Sequence, residues 1–237
     1  EMKSYIRFLA GQHAAVPLPH GEDLSAYDVM VSSFPATVEA FKRDGLRAHL
    51  CRLAFEPRVL SSVGRLEKTW DISFIGSFSS VHSSRTALLD TLCRRFPQLK
   101  IWSPTIDQVP RTSPIRSHYA GQAWGRQMYD ILRASRLTLN HHGDVAPYAN
   151  NMRLYEATGM GTCLLTDWKA NLNDMFEPGK EVVAYRDPEE CVELTHRYLK
   201  DDEAREAIGC AGQSRTLREH TYSHRMQEFV GILETYM

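Results

Sequence analysis

Long apolar runs are missing from this sequence of 237 residues. No stretch approaches the roughly 18 apolar residues that span a bilayer, and the N-terminus lacks the basic, apolar, small-residue order of a secretory signal. A cytoplasmic protein without an integral membrane segment is expected. An excess of one charge sign is missing too: 28 Lys and Arg stand against 29 Asp and Glu, a net charge of −1. No global cationic field therefore gathers nucleic acid or anionic lipid. Paired cysteines are absent: Cys51, Cys93, Cys163, Cys191 and Cys210 are scattered, odd in number and never in CxxC spacing. That argues against a disulfide frame or zinc site and suits reduced, mostly buried thiols. There is no internal repeat and no low-complexity segment, and neither GxGxxG nor GxxxxGKS occurs.

What is present is an ordinary globular composition, 43% hydrophobic and 24% charged with 14 Gly and 11 Pro. The length is about one and a half times the rough 150-residue domain prior. Glu1 precedes Met2, so a truncated or processed chain is expected.

Short β-rich runs alternate with helical periodicity, the pattern of parallel βαβ units. The runs are Asp28 to Val31, Ala48 to Leu50, Asp71 to Phe74, Leu99 to Trp102, Leu137 to Asn140, Cys163 to Thr166 and Val182 to Tyr185. Most are apolar throughout, as strands covered on both faces must be. Pro35 to Arg43 reads as a helix opened by Pro. Leu88, Leu92 and Phe96 form a stripe on a helix capped at Ser83 or Ser84. Met226, Phe229, Val230, Leu233 and Met237 mark one face of a final helix. Strand and helix signals lapse over Phe55 to Lys68, which predicts a boundary. The expected fold is α/β, a Rossmann-like doubly wound parallel sheet with a partial N-terminal α/β segment. Its parts are residues 1–66, then 67–221, then a helix at 222–237 packing back on the first segment.

Ligands of open parallel sheets bind beyond the carboxyl ends of the strands, so the residues after each strand carry the information. After Ile75 come Gly76, Ser77 and a serine-rich turn into a helix with Arg85 in its first turn. This is either a phosphate-binding turn or a plain capped one. After Asn140 come His141, His142, Gly143 and Asp144. Adjacent histidines diverge from a strand and make poor joint metal ligands; a sugar or phosphate contact fits better. Asn150 and Asn151 then open a helix on which Arg153 and Glu156 share a face. As an exposed ion pair these two would contribute at most about 1 kcal/mol, but their place at a strand's carboxyl end favours a site. Arg111, Arg116, Arg126, Arg133 and Arg136 outweigh Asp130 between residues 111 and 136. They read either as a cluster facing an anionic ligand or as a solvated helix face.

These residues, in order, resemble the CgeB-like, group-1-type glycosyltransferases of the two-domain GT-B fold. The carriers are Tyr27-Asp28-Val29, Leu53 to Pro57, Asp71 to Ser77, Leu139-Asn140, Asn151 to Gly159, Leu164 to Asp167, Phe176 to Glu181 and His220-Thr221-Tyr222. The resemblance implies the donor-binding C-terminal half of an enzyme that moves a sugar from a nucleotide diphosphate to an acceptor, either a glycan, a protein or a small molecule. It gives Glu156 the ribose hydroxyls and puts Gly76, Ser77 and Arg85 near the diphosphate. Asn150, Asn151 and Arg153 would face the phosphates and sugar, and Trp102 the base. Similar enzymes often carry a second Glu eight residues before the ribose-binding one; here that position is Tyr148. Either Asp144 takes over the contact or the sugar is held differently, and retaining and inverting outcomes both stay open. Asp144 and His142 are the catalytic candidates. The DxD pattern is absent, no metal and no cofactor beyond the nucleotide-sugar substrate is expected, and any general base is expected from the N-terminal domain. The competing readings are a non-catalytic Rossmann-like nucleotide-binding or protein-interaction module, and a sugar-nucleotide epimerase using Asp144 and Glu181.

Overall fold

A computed structural model describes residues 5–13, 22–144 and 146–237. The chain divides into two compact units, Glu1–Ala54 with Thr221–Met237, and Phe55–His220.

In the first unit three short strands, β1 (Ala10–Gln12), β2 (Val29–Ser32) and β3 (Ala48–Leu50), pair in parallel in that order. Helix α1 (Pro35–Arg43) connects the last two and buries Val38 and Phe41 with Met30 and Ala48. The strand β1 was not expected. Its sequence, Ala-Gly-Gln, has no β-branched residue, and it is present because Gly11 fits under Tyr27 and Met30, where a Cβ would stand 2.5 Å from the Met30 sulfur.

The second unit runs α2 (Arg58–Val63), β4 (Trp70–Ile75), α3 (Ser83–Arg95), β5 (Leu99–Trp102), β6 (Tyr119–Gly121), α4 (Gly125–Ala134) and β7 (Ser135–Leu139). It continues with α5 (Met152–Gly159), β8 (Cys163–Asp167), β9 (Val183–Tyr185), α6 (Pro188–Lys200) and α7 (Asp202–Glu219). Its six strands are all parallel, in the order β6-β5-β4-β7-β8-β9. This is the Rossmann-like doubly wound sheet. The apolar runs bury as continuous strands because helices cover them: Ile72, Phe74, Leu137, Leu139 and Leu165 meet Leu88, Leu92 and Ile208 in one core. Strand order reverses between β4 and β7, so chain connections diverge there and leave a crevice at the carboxyl ends.

Three local features lie outside the sequence signals. Residues 55–66, the end of the expected first part and a stretch where strand and helix signals lapse, contain α2 and fall in the unit Phe55–His220; six residues are too few to show a helical period. Strand β6 is a three-residue edge, irregularly paired at Ile101/Trp102, and too short to show alternation. Helix α3 has His82 at its N-cap position and no side-chain cap of its own, because Ser83 and Ser84 turn to a distant carboxylate described below.

The final helix, α8 (Tyr222–Glu234), lies in the first unit and is started by a capping box between Thr221 and His224. Its inward face is set by polar anchors as much as apolar ones. Arg225 Nε donates to the Leu53 carbonyl at 3.3 Å, and the Tyr236 hydroxyl lies 2.6 Å from His49 Nε2. Met226, Val230 and Met237 of the expected apolar stripe are consequently half or more exposed.

Helix α7 approaches the turn that follows α5 unusually closely. A Cβ on Gly209 would lie 2.8 Å from the Gly161 carbonyl oxygen, and one on Gly212 2.4 Å from that of Glu181. Backbone oxygens cannot yield as a flexible side chain does, so Gly212→Ala overpacks at a cost of about 1–3 kcal/mol. Alanine's better helix propensity returns only about 1 kcal/mol. Gly212→Ala is therefore expected to lower the denaturant midpoint, and an unchanged or raised midpoint would refute the close packing.

Candidate functional site

The crevice between β4 and β7 is a cleft of about 220 Å³ lined by Phe74 to Ser77, His82, Arg85, Asn140 and Asn151 to Arg153, with Glu156. Helix α5 delivers half of it. Asn151 adopts an extended backbone at the N-cap and its side-chain oxygen accepts from the Leu154 N–H at 3.3 Å. At the other end Gly161, at φ +71°, turns the chain into β8. The first turn of α5, with its positive dipole end, thus points into the cleft, which Asn151, Met152 and Arg153 line.

Arg153 and Glu156 form the pair that the helical spacing predicts, with Nη1 2.8 Å from Oε2. The pair is largely buried, unlike an exposed surface ion pair. Arg153 also donates to the Ile75 carbonyl at 3.2 Å. Its Nε and Nη1 are buried without a well-aligned acceptor, and burial pulls its pKa down against the pull of Glu156.

Arg85 closes the opposite wall. Its guanidinium donates to the Ser77 carbonyl at 2.8 Å and to the His141 carbonyl at 2.6 and 3.0 Å, so it straps the turn after β4 to the segment after β7. Burial pushes its pKa down to about 10, which leaves it charged at neutral pH. The same two segments are joined again by Asp144. Its carboxylate accepts from the Ser83 hydroxyl at 2.9 Å, the Ser84 N–H at 3.1 Å and the Ser84 hydroxyl. Burial raises the Asp144 pKa, yet these hydrogen bonds outweigh it and hold the carboxyl below its ordinary value. Asp144 is thus the N-cap that α3 lacks in its own sequence. His82, held 2.8 Å from the Ser79 hydroxyl, has its pKa lowered by burial and then by Arg85.

Beyond Asn140 the segment leans toward the end of β8. Asn140 donates to the Thr166 hydroxyl at 2.9 Å and accepts from Asn151 at 2.8 Å. His142, two residues on, lies with Nδ1 2.6 Å from Asp167 Oδ1, which also accepts from the His142 backbone N–H at 2.9 Å. His141 Nδ1 and Lys169 Nζ lie 3.4 and 3.3 Å from the other oxygen. The adjacent histidines, expected to diverge, share one carboxylate because the chain has left the strand by then. Burial raises the Asp167 pKa, but His141 and His142 overcome it and hold the carboxyl well below the usual range.

Six of the eight residues singled out for ligand contact, Gly76, Ser77, Arg85, Asn151, Arg153 and Glu156, therefore line one cleft. Asn150 lies just outside the lining. Trp102 is buried with its ring edge-on to Trp70 at 5.3 Å. The arginines of 111 to 136 do not face the cleft. Arg116 binds the Val109 carbonyl, Arg133 that of Met160, and Arg136 pairs with Asp71 and Asp202. Asn140, His82 and Asp167 are additions. Asp167 sits at the end of an apolar strand, the one signal that could have marked it. Among the described residues no three His, Cys, Asp or Glu cluster as metal ligands, and no helix is long and apolar enough to cross a membrane.

The family model described as glycosyl transferase-like matches residues 85–231. No curated protein sequence matches the chain. Among solved structures, sucrose-phosphate synthase from Thermosynechococcus elongatus superposes with a TM-score of 0.62 at 12% identity, over 88% of this chain and 58% of that one. Anabaena HepE in complex with UDP-glucose gives 0.73 at 12% identity, over 97% and 72%. AviGT4, a glycosyltransferase involved in avilamycin A biosynthesis, gives 0.60 at 15% identity, over 97% and 75%. At such identities the likeness is one of fold, and this chain spans little more than half of the synthase and about three quarters of the other two.

The Asp167 cluster has a pH signature. A carboxyl held low in the folded state adds stability that is complete above its unfolded value, near 3.9, and is lost as pH falls below it. Asp167→Asn should therefore cost stability at pH 7, with the gap to wild type narrowing between about pH 5 and 3. Denaturant midpoints across that range would show it; a pH-independent gap would refute it.

Proposed function

Because the chain belongs to the glycosyl transferase-like family, shown by a family match over residues 85–231, we propose that its β4/β7 cleft binds the nucleotide diphosphate of a sugar donor, and that the enzyme transfers that sugar to an acceptor. One observation carries the reading. The cleft sets two buried guanidinium groups, Arg85 and Arg153, against a single lining carboxylate, Glu156, at the first turn of α5. Among the lining residues that is a surplus of positive charge at a doubly wound switch point, where an anionic ligand finds donors already in place.

Transfer breaks the bond between the anomeric carbon and the diphosphate oxygen, and negative charge develops on the departing diphosphate. Groups fixed before the reaction stabilise that charge without reorganising. The role falls to Arg153, whose Nε and Nη1 lack aligned acceptors, to the charge of Arg85, and to the α5 dipole. Glu156 is assigned the ribose hydroxyls, as the family resemblance implies. Gly76 suits the close approach of a ligand, since a Cβ there would meet the Phe74 ring at 2.8 Å. The order of motifs from Tyr27 to Tyr222 supports the CgeB-like branch of the family. HepE, solved with UDP-glucose, makes UDP the first nucleotide to try.

A thermal-shift series with UDP, GDP, ADP and dTDP tests the reading. At least one should raise the melting temperature. Glu156→Gln, which keeps the shape of the side chain, should weaken that nucleotide roughly 10- to 100-fold, the value of a charged hydrogen-bond acceptor. Each variant is scored against its own unliganded melting temperature, since uncompensated Arg153 also destabilises. No shift with any of the four would overturn the proposal; oligomerisation that depends on concentration but not on nucleotide would favour an interaction module.

A further inference from the structure

We infer that His82 couples the donor cleft to protons: its ring is neutral while the cleft is empty and takes up a proton from solvent when a nucleoside diphosphate enters, returning it when the nucleotide leaves. This deepens the donor-binding reading and rests on it.

Charge along the cleft changes sign when an anion of this kind fills it. The lining side chains carry two guanidinium charges, on Arg85 and Arg153, and one carboxylate charge, on Glu156. A diphosphate brings at least two negative charges. The lining thus passes from an excess of one positive charge to an excess of negative charge, in a half-enclosed space where an unpaired charge is costly. Of the residues that line the cleft, His82 alone has a side chain whose ordinary pKa lies near neutrality. A proton taken up there restores the balance without moving any other group.

The half-buried ring is held in place to respond. Its Nδ1 lies 2.8 Å from the Ser79 hydroxyl. Its opposite edge lies along Gly143, where a Cβ would stand 3.2 Å from Cδ2 and 3.3 Å from Nε2, so a side chain at that position would crowd it. Arg85 acts on it from α3, and Asp144 and His141 from the segment after β7; Arg153 shares the lining from α5. Asp144 is engaged by Ser83 and Ser84 and stays ionised. His141 lies outside the lining, its Nε2 2.9 Å from the Ser84 hydroxyl. In the empty cleft burial and then Arg85 hold the His82 pKa below its ordinary value against the pull of Asp144, which leaves the ring neutral at pH 7. Negative charge beside Arg85 acts the other way and raises it. A group whose pKa rises on binding strengthens that binding at low pH. The gain is complete below the free value and is lost as pH rises through the bound one.

The experiment uses whichever of UDP, GDP, ADP and dTDP binds best, titrated calorimetrically into wild type and His82→Gln, which keeps a neutral polar side chain that does not titrate. Two buffers of unlike ionisation enthalpy count the protons. At pH 7 wild type should take up roughly half a proton more per nucleotide than the variant. Between pH 8 and pH 6 the ratio of the two dissociation constants should move about fivefold in favour of wild type; because it is a ratio, the nucleotide's own terminal phosphate, which also titrates there, cancels. Equal proton counts, or a ratio that does not change with pH, overturn the inference and leave nucleotide binding standing. Absence of binding by all four nucleotides overturns it together with the donor reading. Should His82→Gln fail to fold, the wild-type ring is followed by NMR across the same pH range. Its titration midpoint should move to higher pH when the nucleotide is bound, and a midpoint that stays in place refutes the coupling.

Discussion

A buried guanidinium that meets carbonyls rather than a carboxylate organises the candidate site. Arg85 spends three of its five donors on the backbone oxygens of Ser77 and His141. Those two carbonyls belong to the turns that leave β4 and β7, the strands between which the sheet reverses order. Neither turn is in a ladder, so the strap, together with the Ser83 and Ser84 bonds to Asp144, is what holds the two from splaying. The strap leaves its charge out of direct contact with any carboxylate, while Asp167 and Asp144 act on it at longer range. A cation in direct contact with carboxylate would make the crevice neutral; one held by dipoles keeps it attractive to anions, at the cost of a pKa pulled down to about 10.

Three carboxylates around the cleft then do three different jobs, decided by what each one faces. Asp144 meets hydroxyls and an N–H at the start of α3 and serves as a cap supplied from 60 residues away. Asp167 meets imidazoles and fixes the direction of one of them. Glu156 meets a guanidinium inside the lining, where a ligand must compete for both partners. Residue type alone would have made them interchangeable. Environment separates them, as it separates any set of titratable groups in one site.

That distinction also marks where reading the sequence succeeds and where it stops. Ile72, Leu137 and Leu165 announce their strands because a strand covered on both faces must be apolar. Arg153 and Glu156 announce their pairing because three residues on a helix return to the same face. Both signals are local. The Arg85 strap, the Ser84–Asp144 cap and the His142–Asp167 dyad join residues 56, 60 and 25 apart, and no periodicity reports a tertiary contact. Ser83 and Ser84 were good caps by type, yet a better acceptor arrived through the fold and took their hydroxyls. Short edges fail for another reason: β1 and β6, at three residues each, are shorter than the period needed to detect them.

The near-neutral total charge is no obstacle to binding an anion, for a reason of length scale. At physiological salt, exposed charges farther apart than about 8 Å barely feel one another, so the net charge of −1 describes the surface as solvent averages it. Among the residues that line the cleft the charges are few and close, Arg85 and Arg153 against Glu156, with Asp167 and Asp144 acting on Arg85 from outside the lining. Their attraction is also short-ranged, so it does not gather polyanions over the whole surface. Such a cleft suits a ligand small enough to enter, with its negative charge concentrated near the first turn of α5 and the two guanidinium groups.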